Sequence, residues 1–266
     1  MLTRLSRPAA LILCALPVIA LLAVAVFAPL PFSVAQPGPT TNVLGKDDGK
    51  PVIKITGAPT RKPSGALRAV TIVATGPEAT VRLGDVLDGW FADNRAIMPR
   101  DSVYPEGDST KEIEQHNKRE MKGSQDAATE AALNYLEAEG TTTSNIKVRL
   151  QLGDVGGPSA GLLFSLGIID LLDGDGSGAD LTGGKSIAGT GTIDGDGKVG
   201  AVGGVSLKVQ AADRDGATVF LVPKAECGDA KASAPDSMRL IPVSTLKGTV
   251  AALTDLRKGS GSVPSC

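Results

Sequence analysis

Ser159 stands in the run Gly156-Gly157-Pro158-Ser159-Ala160-Gly161, and Lys208 follows 49 positions later, behind Gly203-Gly204. A serine in a glycine-rich turn that opens a helix is exposed to a carbonyl and lies beside main-chain N–H groups able to hold an oxyanion. Such a serine needs a base. The sequence has a single histidine, His116, so Ser-His-Asp, Cys-His and multi-histidine zinc chemistry lack their central residue. Lysine is then the natural base, because burial in an apolar setting disfavours its charged form. Lys208 fits, with Val205, Leu207 and Val209 around it. From spacing alone, an N-capping serine and a snorkelling lysine account for the same residues. His116 lies among Glu114, Gln115, Asn117 and Lys118, the setting of a solvated helix face rather than of an oriented base.

Other chemistry is weakly represented. Ala179-x-x-x-x-Gly184-Lys185-Ser186 is a relaxed phosphate-loop pattern, but a β-like Ser-Ile-Ala-Gly-Thr run follows it where a helix N-terminus should hold the phosphate. Asp173-x-Asp175-x-Ser177-Gly178 opens like a calcium loop, yet Gly184 occupies the twelfth position, where a bidentate glutamate belongs. Cys14, Cys227 and Cys266 have no zinc-ligand spacing. Cys227 and Cys266 pair if the body is extracytoplasmic and are otherwise unrelated thiols, and both readings stand. Lys+Arg 27 against Asp+Glu 29, with no basic run, removes the footprint of a nucleic-acid binder. No metal, nucleotide or other cofactor is implied.

These residues need elements to position them. Ala66 to Ala74 reads as a strand, Leu83 to Phe91 as a short helix, and Ser109-x-x-Glu112 as a capping box opening a polar helix through Lys122. Gln125 to Glu139 continues with Ala and Leu on one face. Ile146 to Leu152 alternates as a half-buried strand, and Ser159 to Leu172 is a buried helix with the serine near its N-terminus. Strands are expected over Lys185 to Ile193, Lys198 to Val202, Thr218 to Val222 and Arg239 to Val243, and helices over Val205 to Ala212 and Ser244 to Leu256. This is an α+β order.

Arg4 and Arg7 precede a charge-free stretch of 24 residues, Ala9 to Phe32. That length suits one transmembrane helix, and the Lys/Arg bias puts the N-terminus in the cytoplasm and the body outside. Ser33-Val34-Ala35 also fits a signal-peptidase site, so a cleaved signal peptide is the competing reading. The division expected is an anchor or signal over 1–35, a Pro/Gly/Thr-rich linker over 36–65, and one domain over 66–266.

From about Lys147 to Pro223 the sequence resembles the proteolytic domain of Lon peptidases. The blocks are Gly157-Pro158-Ser159-Ala160-Gly161, Ala-Gly-Thr-Gly-Thr-Ile at 188–193, Gly-Lys-Val-Gly-Ala-Val-Gly-Gly at 197–204, and the run from Lys208 to Pro223. The resemblance implies the ribosomal S5 domain 2-like fold and a serine endopeptidase with a Ser-Lys dyad. Ser159 falls on the nucleophile, Lys208 on the general base, Thr190 on the threonine that supports the lysine, and Gly157, Pro158 and Gly161 on the turn. The body from Pro37-Gly-Pro-Thr through residues 100–105 and Ser124-Gln125-Asp126 is similar to bacterial membrane-anchored, PDZ-containing Lon-like proteins. A short Thr-rich link between Gly140 and Ser144 stands where a PDZ module is expected, and no ATPase module precedes the domain. The implied activity is ATP-independent cleavage of unfolded or flexible protein segments at a membrane, in a chain that could assemble as a ring-forming homo-oligomer. A non-catalytic binding or scaffold protein of the same fold is the second reading, and processing of the chain's own 36–64 segment the third.

Overall fold

The computed structural model describes residues 6–104, 109–153, 156–259 and 261–266, with only the main chain at Arg7 and Ala10. Arg4 and Pro105, which figure in the expectations above, lie outside the described residues. The elements run α1 (Arg7–Phe27), β1 (Phe32–Asn42), β2 (Lys46–Asp47), β3 (Lys50–Pro51), β4 (Ile53–Thr56), β5 (Ala66–Ala74), α2 (Leu83–Phe91), β6 (Ala96–Pro99), α3 (Arg100–Val103) and α4 (Thr110–Ala138). They continue with β7 (Lys147–Leu150), α5 (Gly161–Leu172), β8 (Ser186–Gly189), β9 (Thr192–Ile193), β10 (Val199–Gly200), α6 (Val205–Arg214), β11 (Val219–Pro223), α7 (Cys227–Lys231), β12 (Arg239–Val243) and α8 (Leu246–Lys258).

The chain divides into two compact units, residues 1–36 with 74–110, and residues 37–73 with 111–266. Residues 66–266, expected as one domain, are therefore split. In the larger unit the strand order is β12-β11-β8-β5 followed by the 37–42 part of β1. The pairs β12·β11, β11·β8 and β8·β5 are all parallel, with Phe220 facing both Leu240 and Ala188. Separate two-stranded ladders join β4 to β7 and β9 to β10. The result is a mixed α/β fold.

Its core centres on α5, where every residue from Gly161 to Asp170 is buried. Leu162, Leu163, Phe164, Leu166, Ile168 and Ile169 have no exposed surface, and each contributes on the order of 1.5–3 kcal/mol by leaving water. A helix apolar all round must sit inside, as this one does.

The 36–65 segment is a correction to the sequence reading. It is no linker: β1 to β4 occupy much of it. The buried positions of β1 include Ser33, Ala35 and Gly38, too small or polar to show an apolar alternation. Gly38 lies flat against Thr71, where a Cβ would meet the Thr71 carbonyl carbon at 2.9 Å. The two helical stretches expected between 109 and 139 form one helix of 29 residues, α4.

In the smaller unit β6 pairs antiparallel with Phe32–Ala35 of β1, and α1 carries eleven exposed large apolar side chains between Leu11 and Phe27. The helix stops at Phe27 and Phe32 begins β1, so the charge-free stretch is not one helix throughout. Residues of α1 described with their side chains run unbroken only over 11–27, and among the described residues no helix is long and apolar enough to cross a membrane.

Candidate active site

The Ser159 turn is built from behind by α4. Gly157 adopts φ +86°, which glycine enters without steric cost, and its N–H donates to the Asn117 carbonyl at 3.4 Å. A Cβ at Gly156 would lie 2.6 Å from Asn117 Cβ. Buried Ser124 donates its hydroxyl to the Pro158 carbonyl at 2.9 Å. The Gly161 N–H closes the turn on the same carbonyl at 3.4 Å, and a side chain there would press on Ser124 Oγ and Ile193 Cγ2, each at 3.0 Å. Ser159 is left half-buried, two residues before α5 begins.

The stretch expected as a single strand over Lys185 to Ile193 breaks at Thr190-Gly191, because these residues turn to hold the serine. Gly191 donates its N–H to the Ser159 carbonyl at 3.0 Å and accepts from Leu162 N–H at 3.1 Å. Thr190 anchors its own N–H on the Leu221 carbonyl of β11 at 3.1 Å and donates its hydroxyl to the Ser159 carbonyl at 3.3 Å.

Lys208 arrives from the other side on α6. Its N-cap, Gly204, has φ +68°, and a Cβ there would meet Ile72 Cδ1 at 3.1 Å. Lys208 is 4% exposed. Its Nζ donates to Thr190 Oγ1 at 3.2 Å. The serine and the lysine are thus joined through one threonine, whose proton goes to the serine's main chain and whose lone pair receives the amine. Desolvation pulls the Lys208 ammonium down to about 8, and the opposing influence is the charge of Glu226. Glu226 follows β11, its carboxyl is raised by burial, and its Oε2 has no hydrogen-bond partner among the described residues. The next residue, Cys227, is disulfide-bonded to Cys266, with the Cα atoms 5.5 Å apart.

The structure therefore brings together Ser159, Thr190, Lys208, Gly157, Pro158 and Gly161. His116 is half-buried on α4. Lys185 precedes β8 and Ser186 opens it, so that phosphate-loop-like run leads into a strand. Asp175 is held by Ser177, Ala179 and Arg257, which makes the calcium-like segment a turn tied by its own neighbours. Among the described residues no group of three or more His, Cys, Asp and Glu is placed to hold a metal.

Three positions escaped the sequence reading. Ser124 had a signal, since it shares the buried stripe of α4 with Met121, Ala128 and Ala131, and a serine on such a stripe wants a partner. Asn117 and Glu226 had none, because their roles come from main chain or side chain meeting across the fold. The model of the Lon protease (S16) C-terminal proteolytic domain matches residues 116–254, just over half of the chain. That span holds the Ser159 turn, Thr190 and Lys208 together with β8, β11 and β12 of the parallel sheet. The chain belongs to the Lon protease (S16) family through its C-terminal proteolytic domain.

Proposed function

We propose that the chain is a membrane-anchored serine endopeptidase that uses Ser159 as nucleophile and Lys208 as general base, without ATP, on unfolded or flexible protein segments. The observation that carries this reading is Lys208, buried to 4% exposure, lowered to about 8, and bonded to the threonine that holds the Ser159 turn. At neutral pH roughly a tenth of such an amine is uncharged. One of its N–H bonds goes to Thr190, and its lone pair takes the Ser159 hydroxyl proton as Oγ attacks the peptide carbonyl. The main-chain N–H groups of Ser159 and Ala160 donate to no acceptor among the described residues, and they suit the oxyanion. The C–N bond then breaks, Lys208 returns the proton to the leaving amine, and an acyl ester remains on Ser159. Water, deprotonated by the same amine, releases the acid and restores the hydroxyl.

ATP independence is supported by the strand that follows Lys185-Ser186 where a phosphate loop would open a helix. The anchor is supported by α1, whose 21 residues span about 31 Å as a helix, close to the hydrocarbon thickness of a bilayer. An extracytoplasmic body agrees with Arg7 preceding the apolar run and with the Cys227–Cys266 disulfide.

The test is cleavage of an unstructured protein by the full chain in detergent, with and without ATP, beside Ser159→Ala and Lys208→Ala. A cut at Gln36 would divide β1, so the full chain is used. Activity that ignores ATP and vanishes in both variants is the expected result. Three equally inert folded proteins would favour the scaffold reading, and three equally active ones would refute the dyad.

A further inference from the structure

The nine-residue helix α2 carries Leu87, Trp90 and Phe91 at i, i+3 and i+4, one face of one helix. They are 49%, 76% and 82% exposed. The opposite side is satisfied: Gly89 is buried, and a Cβ there would meet Ile97 Cγ1 of β6 at 3.1 Å. Asp85 and Asp88 lie away from the apolar face by helical periodicity. An aromatic pair left bare beside a leucine on a helix already packed elsewhere marks a surface that something covers.

The covalent path says what. Leu30, three residues beyond α1, donates its N–H to the Val81 carbonyl at 2.8 Å, and α2 begins two residues after Val81. Val26 and Phe27 of α1 line one groove with Arg82, Gly84, Asp85 and Asp88. α2 is therefore fixed at the C-terminal end of α1, with Asp85 and Asp88 turned to that groove and Leu87, Trp90 and Phe91 on another side of the helix. If α1 crosses the bilayer, its C-terminal end lies at the water interface. Tryptophan settles at that depth, and leucine and phenylalanine join it on the buried face of helices that lie in the interface.

We infer that α2 is an interfacial helix whose Leu87, Trp90 and Phe91 insert into the phospholipid headgroup and upper acyl region beside α1. This rests on the anchor reading of α1. A nine-residue helix lying flat with three apolar side chains down adds attachment in the plane of the membrane and limits rotation of the small unit about α1.

Trp90 is the only tryptophan in the chain, so intrinsic fluorescence reads this face alone. The full chain is reconstituted into phosphatidylcholine vesicles made with and without lipid brominated near the top of the acyl chains. The expected result is emission reduced about twofold or more by the brominated lipid and little affected by aqueous iodide. Leu87→Ser with Phe91→Ser, both on the exposed face, should weaken that quenching while the chain still floats with the vesicles. A Trp90 open to iodide and indifferent to brominated lipid overturns the inference, the face being solvated. A Trp90 shielded from both quenchers also overturns it, a second copy or another protein being the cover. Flotation of the same samples separates the two readings: a chain that floats while Trp90 ignores the lipid leaves the anchor standing, and a chain that does not float removes the anchor and this inference with it.

Discussion

Lys208 and Asp170 are two buried ionisable groups in the larger unit, and their surroundings use burial in opposite ways. Asp170, at the far end of α5, has no exposed surface. Its Oδ1 accepts the Leu181 N–H at 2.9 Å, its Oδ2 has no hydrogen-bond partner among the described residues, and desolvation pushes its carboxyl up to about 6. The charged groups near it are committed to one another, Asp180 to Ser64 and Arg61 and Asp175 to Arg257. Lys208 is desolvated almost as fully, but its amine is one hydroxyl away from the main chain of a half-exposed serine. A perturbed titration is a charge on stability in both places. It becomes a reagent only where a reachable nucleophile is attached to it.

Replacing Lys208 by Met tests that difference most severely. Peptidase activity should fall by about three orders of magnitude or more, as when the base of an activated nucleophile is removed. The same variant should be more stable. A lysine lowered to about 8 from 10.5 holds the folded state down by about 3 kcal/mol below pH 8, a penalty that fades as pH rises towards 10.5. Less the lost bond to Thr190, worth about 1 kcal/mol, the net gain at pH 7 is about 2 kcal/mol in denaturant unfolding. A variant both inactive and destabilised would mean that Lys208 is not held as an uncompensated charge.

Asp170→Asn is the counterpart without a catalytic consequence. A carboxyl raised to about 6 from 3.8 binds its proton more tightly when folded, so the parent's stability should decline between about pH 4 and 6 and be flat above. The slope accounts for at most about 3 kcal/mol. In the variant that contribution disappears while peptide cleavage at pH 8 stays at the parent's level. A lost activity would tie this end of α5 to the site.

Thr190→Val breaks the link itself. The turn keeps the bond from Gly191 to the Ser159 carbonyl, so the serine stays in place while the amine loses its acceptor. A drop of roughly tenfold to a hundredfold in kcat is expected, with little change in KM, the size associated with misplacing a catalytic group by about 1 Å. Thr190→Ser should restore most of it, because a hydroxyl returns. Equal losses in both variants would assign Thr190 to packing alone.

How much of this was legible follows from the same contrast. The Ser159 turn and Lys208 lie in local runs that allow the dyad, the resemblance to the Lon proteolytic domain singled them out and added Thr190, and α5 and α6 are marked by apolar periodicity. β5, α2 and β12 have the expected bounds because each has a continuous local signal. β1 was hidden, since its inward positions are small or polar and its pairing is with distant strands. The break at Thr190-Gly191 was hidden for a related reason: an N–H turned towards Ser159, 32 residues earlier, leaves no trace in local composition. Asp170 was read only as part of an apolar helix, and its charge became an issue once the fold sealed it from water.

Glu226 gives the smallest and sharpest test. Its charge opposes desolvation at Lys208, and its Oε2 is buried without a hydrogen-bond partner among the described residues, so glutamine removes a charge without removing a bond seen at that oxygen. The Glu226 carboxyl is raised by burial, and its negative charge favours the ammonium. Removing it should leave neutral Lys208 more populated. The rising limb of the pH–kcat/KM profile, expected near 8 in the parent because activity requires the uncharged amine, should move to lower pH by less than about one unit. Activity at pH 7 then increases while the plateau above pH 9 is unchanged. A limb that stays put would mean that solvent screens Glu226 from the amine, and one that moves upward would mean that the carboxylate assists proton transfer rather than restraining it.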